Sequence, residues 1–538
     1  MTTKLIKLIR NELIKIFKRK SIYILFFISI ITIILYNYIN PDQNSKTRGN
    51  EIHDKNIKQL ESNLEKIKKE MEQDTNHNSD TLQENNINDS DMKELEDFID
   101  NLEKENTLIK EYVNIKTDID IAYLYNKYSQ SSWQRYALNE ENMTYHVGET
   151  DINYSHDITN CLKTINDYEL NNNSNVTQES YNKVKEKYNK YVQALDSNNW
   201  KEFIEIKIAS LEEMKNGEDI ADKDKKYINA DIETYKLQIN NNIEYNDNIL
   251  NQYLQEYRSN QYLLVNNYSQ IENENALLNQ EENNCKAKVQ LCKYAIENKI
   301  NQDAFNLLPE NKIDARNSFI KTFEHFNLIM AIIAIYISCI IVTEEINKKT
   351  IKNVLTKPHK RSTILISKIM ACIITVIIAM IFIAIVQYIV GGIVFGFDSY
   401  DLEYIGYDYK NEQVFTINLF EYLMLVGLTK MPMYIMIIVF CILMGVLNNN
   451  TAMTIILTLI IFLLANSIIS EWSKVEEFST IARYFITNNW DFSTFLFGRT
   501  SSVNGITPLF SVGIYSIYLI IGLAIAIYKF NKKEINNV

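Results

Sequence analysis

Proline and glycine are scarce in this chain, at 5 and 13 of 538 residues, against roughly 12% combined in average usage. Only Pro41, Gly49, Gly148 and Gly217 precede Pro309. Sandwiches, barrels and doubly wound sheets consume turn residues, so the shortage excludes them and favours helices. No glycine is followed by lysine, which removes the phosphate-cradling loop of an ATPase, and no Gly-x-Ser-x-Gly elbow occurs. The six histidines are dispersed and form no His-Glu-x-x-His pair. Of the six cysteines, Cys339, Cys372 and Cys441 fall in apolar runs, and only Cys161, Cys285 and Cys292 lie elsewhere. Cys285 and Cys292 would sit about 10 Å apart along one helix, beyond bonding reach of each other. Packed free thiols, or one bridge from either to Cys161, remain the options. No catalytic, cofactor or metal residue is expected on this chain.

What is present is bunched apolar sequence. Uncharged runs occupy Ser21 to Ile39, Phe326 to Val342, Ile369 to Phe397, Pro432 to Asn450 continuing from Thr451 to Ser470, and Thr500 to Tyr528. About 20 apolar residues cross a ~30 Å hydrocarbon layer, and Asn448-Asn449-Asn450 supplies a polar turn within the longest run. Six spans are predicted. The first run is longer than the apolar core of a signal peptide, about 7 to 15 residues, and lacks a small-residue cleavage site after it, so a retained anchor is expected.

Basic short loops stay in the cytoplasm. Lys4, Lys7, Arg10, Lys15, Lys18, Arg19 and Lys20 precede span one against the single acid Glu12. Lys348, Lys349, Lys352, Lys357, Lys360, Arg361 and Lys368 lie between spans two and three, whereas the loop after span three is acidic. Both termini are therefore expected inside, with residues 40–325 outside. That outer segment holds 33 basic and 53 acidic residues, so the net charge of -12 divides into -20 outside and +8 in the membrane part. Within it, Ile57, Leu60, Leu64, Ile67 and Met71 step by three and four, as do Leu95, Ile99, Leu102, Asn106, Ile109 and Val113. A longer seam runs from Leu264 to Ile296, and a continuous helix from Ile228 to Ile300 would extend about 110 Å. A helical stalk or hairpin bundle with a less regular head near Trp133 to Asp157 is predicted. Gly148 to Asp157 reads either as a solvated connection or as a ligand or cation loop.

The expected fold class is all-α: a polytopic six-helix membrane protein with a large extracellular helical, coiled-coil domain inserted between spans one and two. Its segments are 1–20, an interfacial amphipathic helix carrying Leu5, Ile9, Leu13, Ile16 and Phe17; 21–39, span one; 40–325, the external domain; 326–343, span two; 344–368, a basic cytoplasmic connection; and 369–538, spans three to six with an aromatic re-entrant stretch at 471–508. Lys430 before Pro432 is expected to snorkel at a membrane boundary, and Gln387 with Gly391 and Gly392 to mark close helix packing or a path.

The connection from Thr343 to Lys368 carries the most information. Ile351, Val354 and Leu355 share one face of a short helix that Pro358 stops. Its residues Glu345, Thr350, Leu355, Pro358, Arg361 and Lys368 resemble the coupling segment of type 2 ATP-binding-cassette (ABC) transporter permeases, with Lys349 in place of the usual glycine. The resemblance covers about 250 residues and does not reach the external domain. It implies that Glu345, Thr350, Ile351, Lys352, Val354, Leu355, Pro358, Arg361 and Lys368 contact a cytoplasmic ABC ATPase, which would bind the ATP and Mg that this chain cannot. It also implies a second permease subunit, identical or related, and export of an amphipathic or peptide-like substrate such as an antimicrobial peptide or bacteriocin. Lipid and an outside peptide or protein ligand are further expected partners; nucleic acid is not. The alternatives are a non-transporting scaffold or receptor resembling type VII secretion accessory and phage-infection proteins, and an ABC mechanotransmission unit. Abundant Asn, Ile and Lys suggest a low-GC bacterium and its cell membrane.

Overall fold

The computed structural model describes residues 2–39, 57–78, 90–140, 145–147, 150–152, 154, 156–170, 176–217, 220–268, 276–301, 314–347, 360–448, 450–473 and 476–532. The chain divides into two compact units, one of residues 1–43, 272–291 and 302–538, the other of residues 44–271 and 292–301. Residues 314–325 thus belong with the apolar spans, although the sequence boundary at 325 falls after them.

In the first unit, α1 (Thr2–Phe17) leads into α2 (Lys20–Ile39), which is span one. The second unit follows in sequence. It contains α3 (Ile57–Asn78), α4 (Ser90–Asn126), α5 (Trp133–Glu140), the strands β1 (Tyr145–Val147) and β2 (Thr150–Ile152), and α6 (Asp157–Leu170). Next come α7 (Gln178–Asp196), α8 (Trp200–Lys215), α9 (Asp222–Asn240) and α10 (Ile249–Tyr268); α11 (Ala276–Glu297) ends there. Successive helices pack side by side: α3 on α4, α6 on α7, α7 on α8, α8 on α9, and α9 on α10. The predicted seam holds in α3, where Ile67 is buried and Ile57, Leu60, Leu64 and Met71 are half-buried while most residues between them are exposed. Trp133, Tyr191, Phe203, Ile228 and Tyr235 anchor the core of this unit.

The continuous helix from Ile228 to Ile300 does not form. α9 closes at Asn241, Asn242 adopts φ 54°, and the Ile243 amide donates to the Gln238 carbonyl at 3.0 Å. That is a helix stop normally built on glycine. Asn198 (φ 58°) and Lys299 (φ 51°) close α7 and α11 in the same way. Among the described residues, a chain short of glycine therefore closes α7 and α9 with asparagine, which tolerates the left-handed region, and α11 with lysine, which adopts it at a cost.

The first unit resumes with two short buried helices, α12 (Ala315–Ile320) and α13 (Thr322–His325), then α14 (Asn327–Asn347), span two. Span three is α15 (Arg361–Phe395), 35 residues that begin eight positions before the uncharged run. A hairpin of β3 (Tyr404–Asp408) and β4 (Gln413–Ile417) separates it from span four, α16 (Leu419–Asn448), which keeps Pro432 inside the helix. Span five runs from α17 (Thr451–Ile460) through a π-helical turn at Ile461–Ala465 into α18 (Asn466–Ser473); α19 (Glu476–Ala482), short 3-10 turns and span six, α20 (Pro508–Lys532), complete the chain. Among the described residues, six helices are long and apolar enough to cross a membrane. This is a mostly helical membrane protein, and the two hairpins depart from a purely helical fold. The β3–β4 ladder is rich in aromatic and β-branched residues, among them Tyr404, Ile405, Tyr407, Val414, Phe415, Thr416 and Ile417, which favour strands.

α15 is the central element. It packs against α1, α2, α12, α14, α16 and α20. The short side chains of Ala371, Cys372, Thr375 and Ala379 on its buried face admit neighbouring helices closely. No disulfide forms among the described residues, so the bridge to Cys161 is not made; Cys161 and Cys292 are buried and Cys285 is half-buried.

Candidate functional site: a closed ring of charges

α1 is amphipathic, but its covered face packs on protein. Ile16 is buried, and Ile9, Leu13 and Phe17 pack against the core of the spans. Glu12 lies on the same face, one helical turn from Ile16 and Ile9, and is buried like Ile16. An unpaired carboxylate there would be strongly unfavourable, so partners are required. Two other helices supply them.

Lys368, on the second turn of α15 and 1% exposed, donates to Glu12 Oε2 at 3.0 Å and to the Ile341 carbonyl at 3.1 Å, and its Nζ lies 2.8 Å from Glu345 Oε2. Lys15 Nζ lies 2.7 Å from Glu12 Oε1 and 2.7 Å from Glu345 Oε1. Each acid therefore touches both lysines and each lysine both acids. The four charges close a neutral ring that joins α1, the end of span two and the start of span three. Arg19 adds an ion pair to Glu344 beside it. Burial pulls the Lys15 ammonium down, but its hydrogen bonds to Glu12 and Glu345 outweigh that and raise its pKa above the ordinary lysine value. Paired in this way, buried charges fix geometry more than they add stability.

The ring brackets the basic connection. Residues 348–359, among them Thr350, Ile351, Lys352, Val354, Leu355 and Pro358, lie outside the described residues. Glu345 and Lys368 flank them and meet in the ring. Arg361 opens α15 and donates from Nη1 to the Asn531 carbonyl at 2.8 Å, tying that end of span three to the end of span six. Glu12 and Lys15 were not singled out in the sequence beyond their charge. The legible signal was an acid set among Leu5, Ile9, Leu13 and Ile16 on one helical face.

Residues 288–536, a little under half of the chain, match a family described as "Protein of unknown function (DUF2705)". The chain is also 27% identical over 209 residues to "Uncharacterized membrane protein YdbK" of Bacillus subtilis (strain 168), covering 39% of this chain and 79% of that protein. It is 26% identical over 220 residues to "Uncharacterized protein YhcI" of the same strain, covering 41% of this chain and 69% of the relative. No solved structure matches. These likenesses agree with a membrane protein.

Two polar sites lie elsewhere in the span unit. Lys430 does not snorkel. It is buried on span four and donates to Asp491 Oδ2 at 2.8 Å, so an internal partner replaces solvent. Gln387 is wholly buried among Asn37 and Ser318. The adjoining glycines are close-packing positions, since a Cβ on Gly391 would stand 2.9 Å from the Tyr400 hydroxyl and one on Gly392 2.2 Å from the Phe397 ring. Among the described residues no group of histidine, cysteine and acidic side chains is arranged to hold a metal.

Proposed function

We propose that this chain is the permease subunit of an ABC exporter of the bacterial cell membrane, with both termini cytoplasmic and residues 40–325 forming an extracellular helical, coiled-coil domain. The observation that carries the proposal is the ring. Glu345 and Lys368, the acid and the lysine that bracket the segment resembling a coupling helix, are bonded to each other and to the amphipathic helix before span one. A force applied to residues between them would therefore reach spans two and three and α1 together. The coupling role falls to Thr350, Ile351, Lys352, Val354, Leu355, Pro358 and Arg361, and the energy comes from ATP and Mg bound by a separate cytoplasmic ATPase. Two permease subunits, identical or related, pair with two ATPases and move an amphipathic or peptide-like substrate, such as an antimicrobial peptide.

The test is purification of the tagged full chain from its native membrane with identification of every nucleotide-binding protein that accompanies it. An ATPase whose recovery falls on Leu355→Asp, with expression of the chain unchanged, supports the proposal. Recovery of no ATPase, or of one indifferent to Leu355→Asp, refutes it.

A further inference from the structure

A second closed ring lies at the other end of span three. Asn37, in the last turn of span one, Ser318 on α12 and Gln387 on α15 are each at most 1% exposed. Gln387 Nε2 donates to Ser318 Oγ at 2.5 Å and to Asn37 Oδ1 at 3.2 Å. Asn37 Nδ2 donates to Gln387 Oε1 at 3.1 Å and to the Ile33 carbonyl at 2.7 Å, and Ser318 Oγ donates to Asn37 Oδ1 at 2.9 Å. Asn37 is where the chain leaves span one for the long insertion, and Ser318 is where it has returned before span two. Beside Ser318, the fully buried Arg316 donates from Nε to the Leu402 carbonyl at 3.2 Å and from Nη2 to the Glu403 carbonyl at 2.9 Å, which fixes α12 to the stretch before β3.

Nineteen residues separate Lys368 from Gln387, about 28 Å of helix at 1.5 Å per residue, close to the hydrocarbon thickness of a bilayer. No glycine or proline interrupts α15 between them. Both residues lie on its buried face. In an apolar bundle each ring is the least replaceable contact of its neighbourhood, because a polar group released there finds no water.

We propose that span three is a strut coupling the two rings, so that the state of the charge ring beside residues 348–359 biases the amide and hydroxyl ring at the root of the insertion, and the reverse. This deepens the exporter proposal by assigning a route between the coupling segment and the insertion, but its test requires no ATPase. Coupling between two sites is reciprocal, so a perturbation at either end must be felt at the other with equal free energy.

Full-length protein in lipid nanodiscs, followed by hydrogen exchange with mass spectrometry, reads this directly. Gln387→Leu is expected to raise exchange in α1 by about fivefold, the low end of ordinary coupling between sites. Lys368→Met is expected to raise it by a similar factor in residues 315–320. Thr375→Val, midway along the same helix, removes a hydroxyl whose bond goes to its own Ala371 carbonyl at 2.8 Å and should change neither end. Ser318→Ala serves as the second perturbation should Gln387→Leu not fold. Confinement of every effect to the mutated end, or an equal response to Thr375→Val, overturns the strut. Failure here leaves ATPase docking standing, and failure to find an ATPase leaves the strut standing.

Discussion

Replacement of Lys368 by methionine tests whether the ring is held by charge balance. Its ammonium has two carboxylate partners within 3.0 Å and a side chain 1% exposed. In its absence Glu12 and Glu345, 4% and 11% exposed, would share Lys15 alone, leaving one buried negative charge uncompensated. Breaking a buried pair from one side costs about 3–5 kcal/mol. Each kcal/mol moves the unfolding midpoint of a domain of 150–250 residues by about 2–4 °C, so a fall of roughly 6 to 20 °C is expected. Lys15→Met leaves the same charge unbalanced, but at the rim of the ring, where the Lys15 side chain is 42% exposed and water can enter in its place to solvate the carboxylates. Its cost should be about 1 kcal/mol. The decisive variant is the double replacement Lys368→Met with Glu12→Gln. Neutrality is restored, so Glu12→Gln, harmful alone, should recover part of the loss when Lys368 is gone. Thermal unfolding of the nanodisc-embedded protein, followed by tryptophan fluorescence, supplies all four corners of the cycle. Equal effects of Lys15→Met and Lys368→Met, or a Glu12→Gln loss that simply adds to that of Lys368→Met, would refute the reasoning.

Other expectations follow from the same physics. Arg316→Lys keeps the charge but loses the planar fork that reaches the Leu402 and Glu403 carbonyls; a loss of about 2 kcal/mol in midpoint stability is expected, with faster proteolysis between Ser399 and Glu403. Lys299→Gly should stabilise the insertion unit by about 1 kcal/mol, since lysine at φ 51° carries a strain that glycine does not; an unchanged or lowered unfolding midpoint would show that the lysine is unstrained. In that unit burial opposes ionisation of Glu140, but the Arg258 and Lys207 charges hold its pKa below the ordinary glutamate value. Its contribution to stability is therefore present above about pH 4.3, the ordinary glutamate value, and lost as pH falls through the lower folded value. Asp231 beside it is raised by burial and acts in the opposite sense. Hydrogen exchange of α9 and α10 against pH should show the acid loss of protection shrink in Glu140→Gln.

The spans were legible because hydrocarbon imposes a length and an absence of charge that any window of sequence displays. Helix ends were less so: span three begins at Arg361 because the helix continues into its basic flank, and span four contains Pro432 because the mostly apolar stretch from Leu419 to Leu428 precedes it in one helix. Pairings across the chain carried no local signal. Glu12 meets Lys368 from 356 positions away, and Asn37 meets Gln387 from 350. Lys430 read alone belongs at a boundary, and only Asp491, 61 residues later, explains its burial. Likewise Asn242 resembled any other polar residue of the expected helix from Ile228 to Ile300 until its left-handed backbone showed it to be a helix stop.

The most direct measurement of the central claim is ATP hydrolysis by the co-purified complex in lipid, comparing the native chain with Glu345→Gln. The account predicts an accompanying ATPase whose turnover falls severalfold when the ring loses Glu345 while the spans remain folded. A chain that brings no ATPase from its native membrane, or whose ATPase turns over identically with Glu345→Gln, would contradict it.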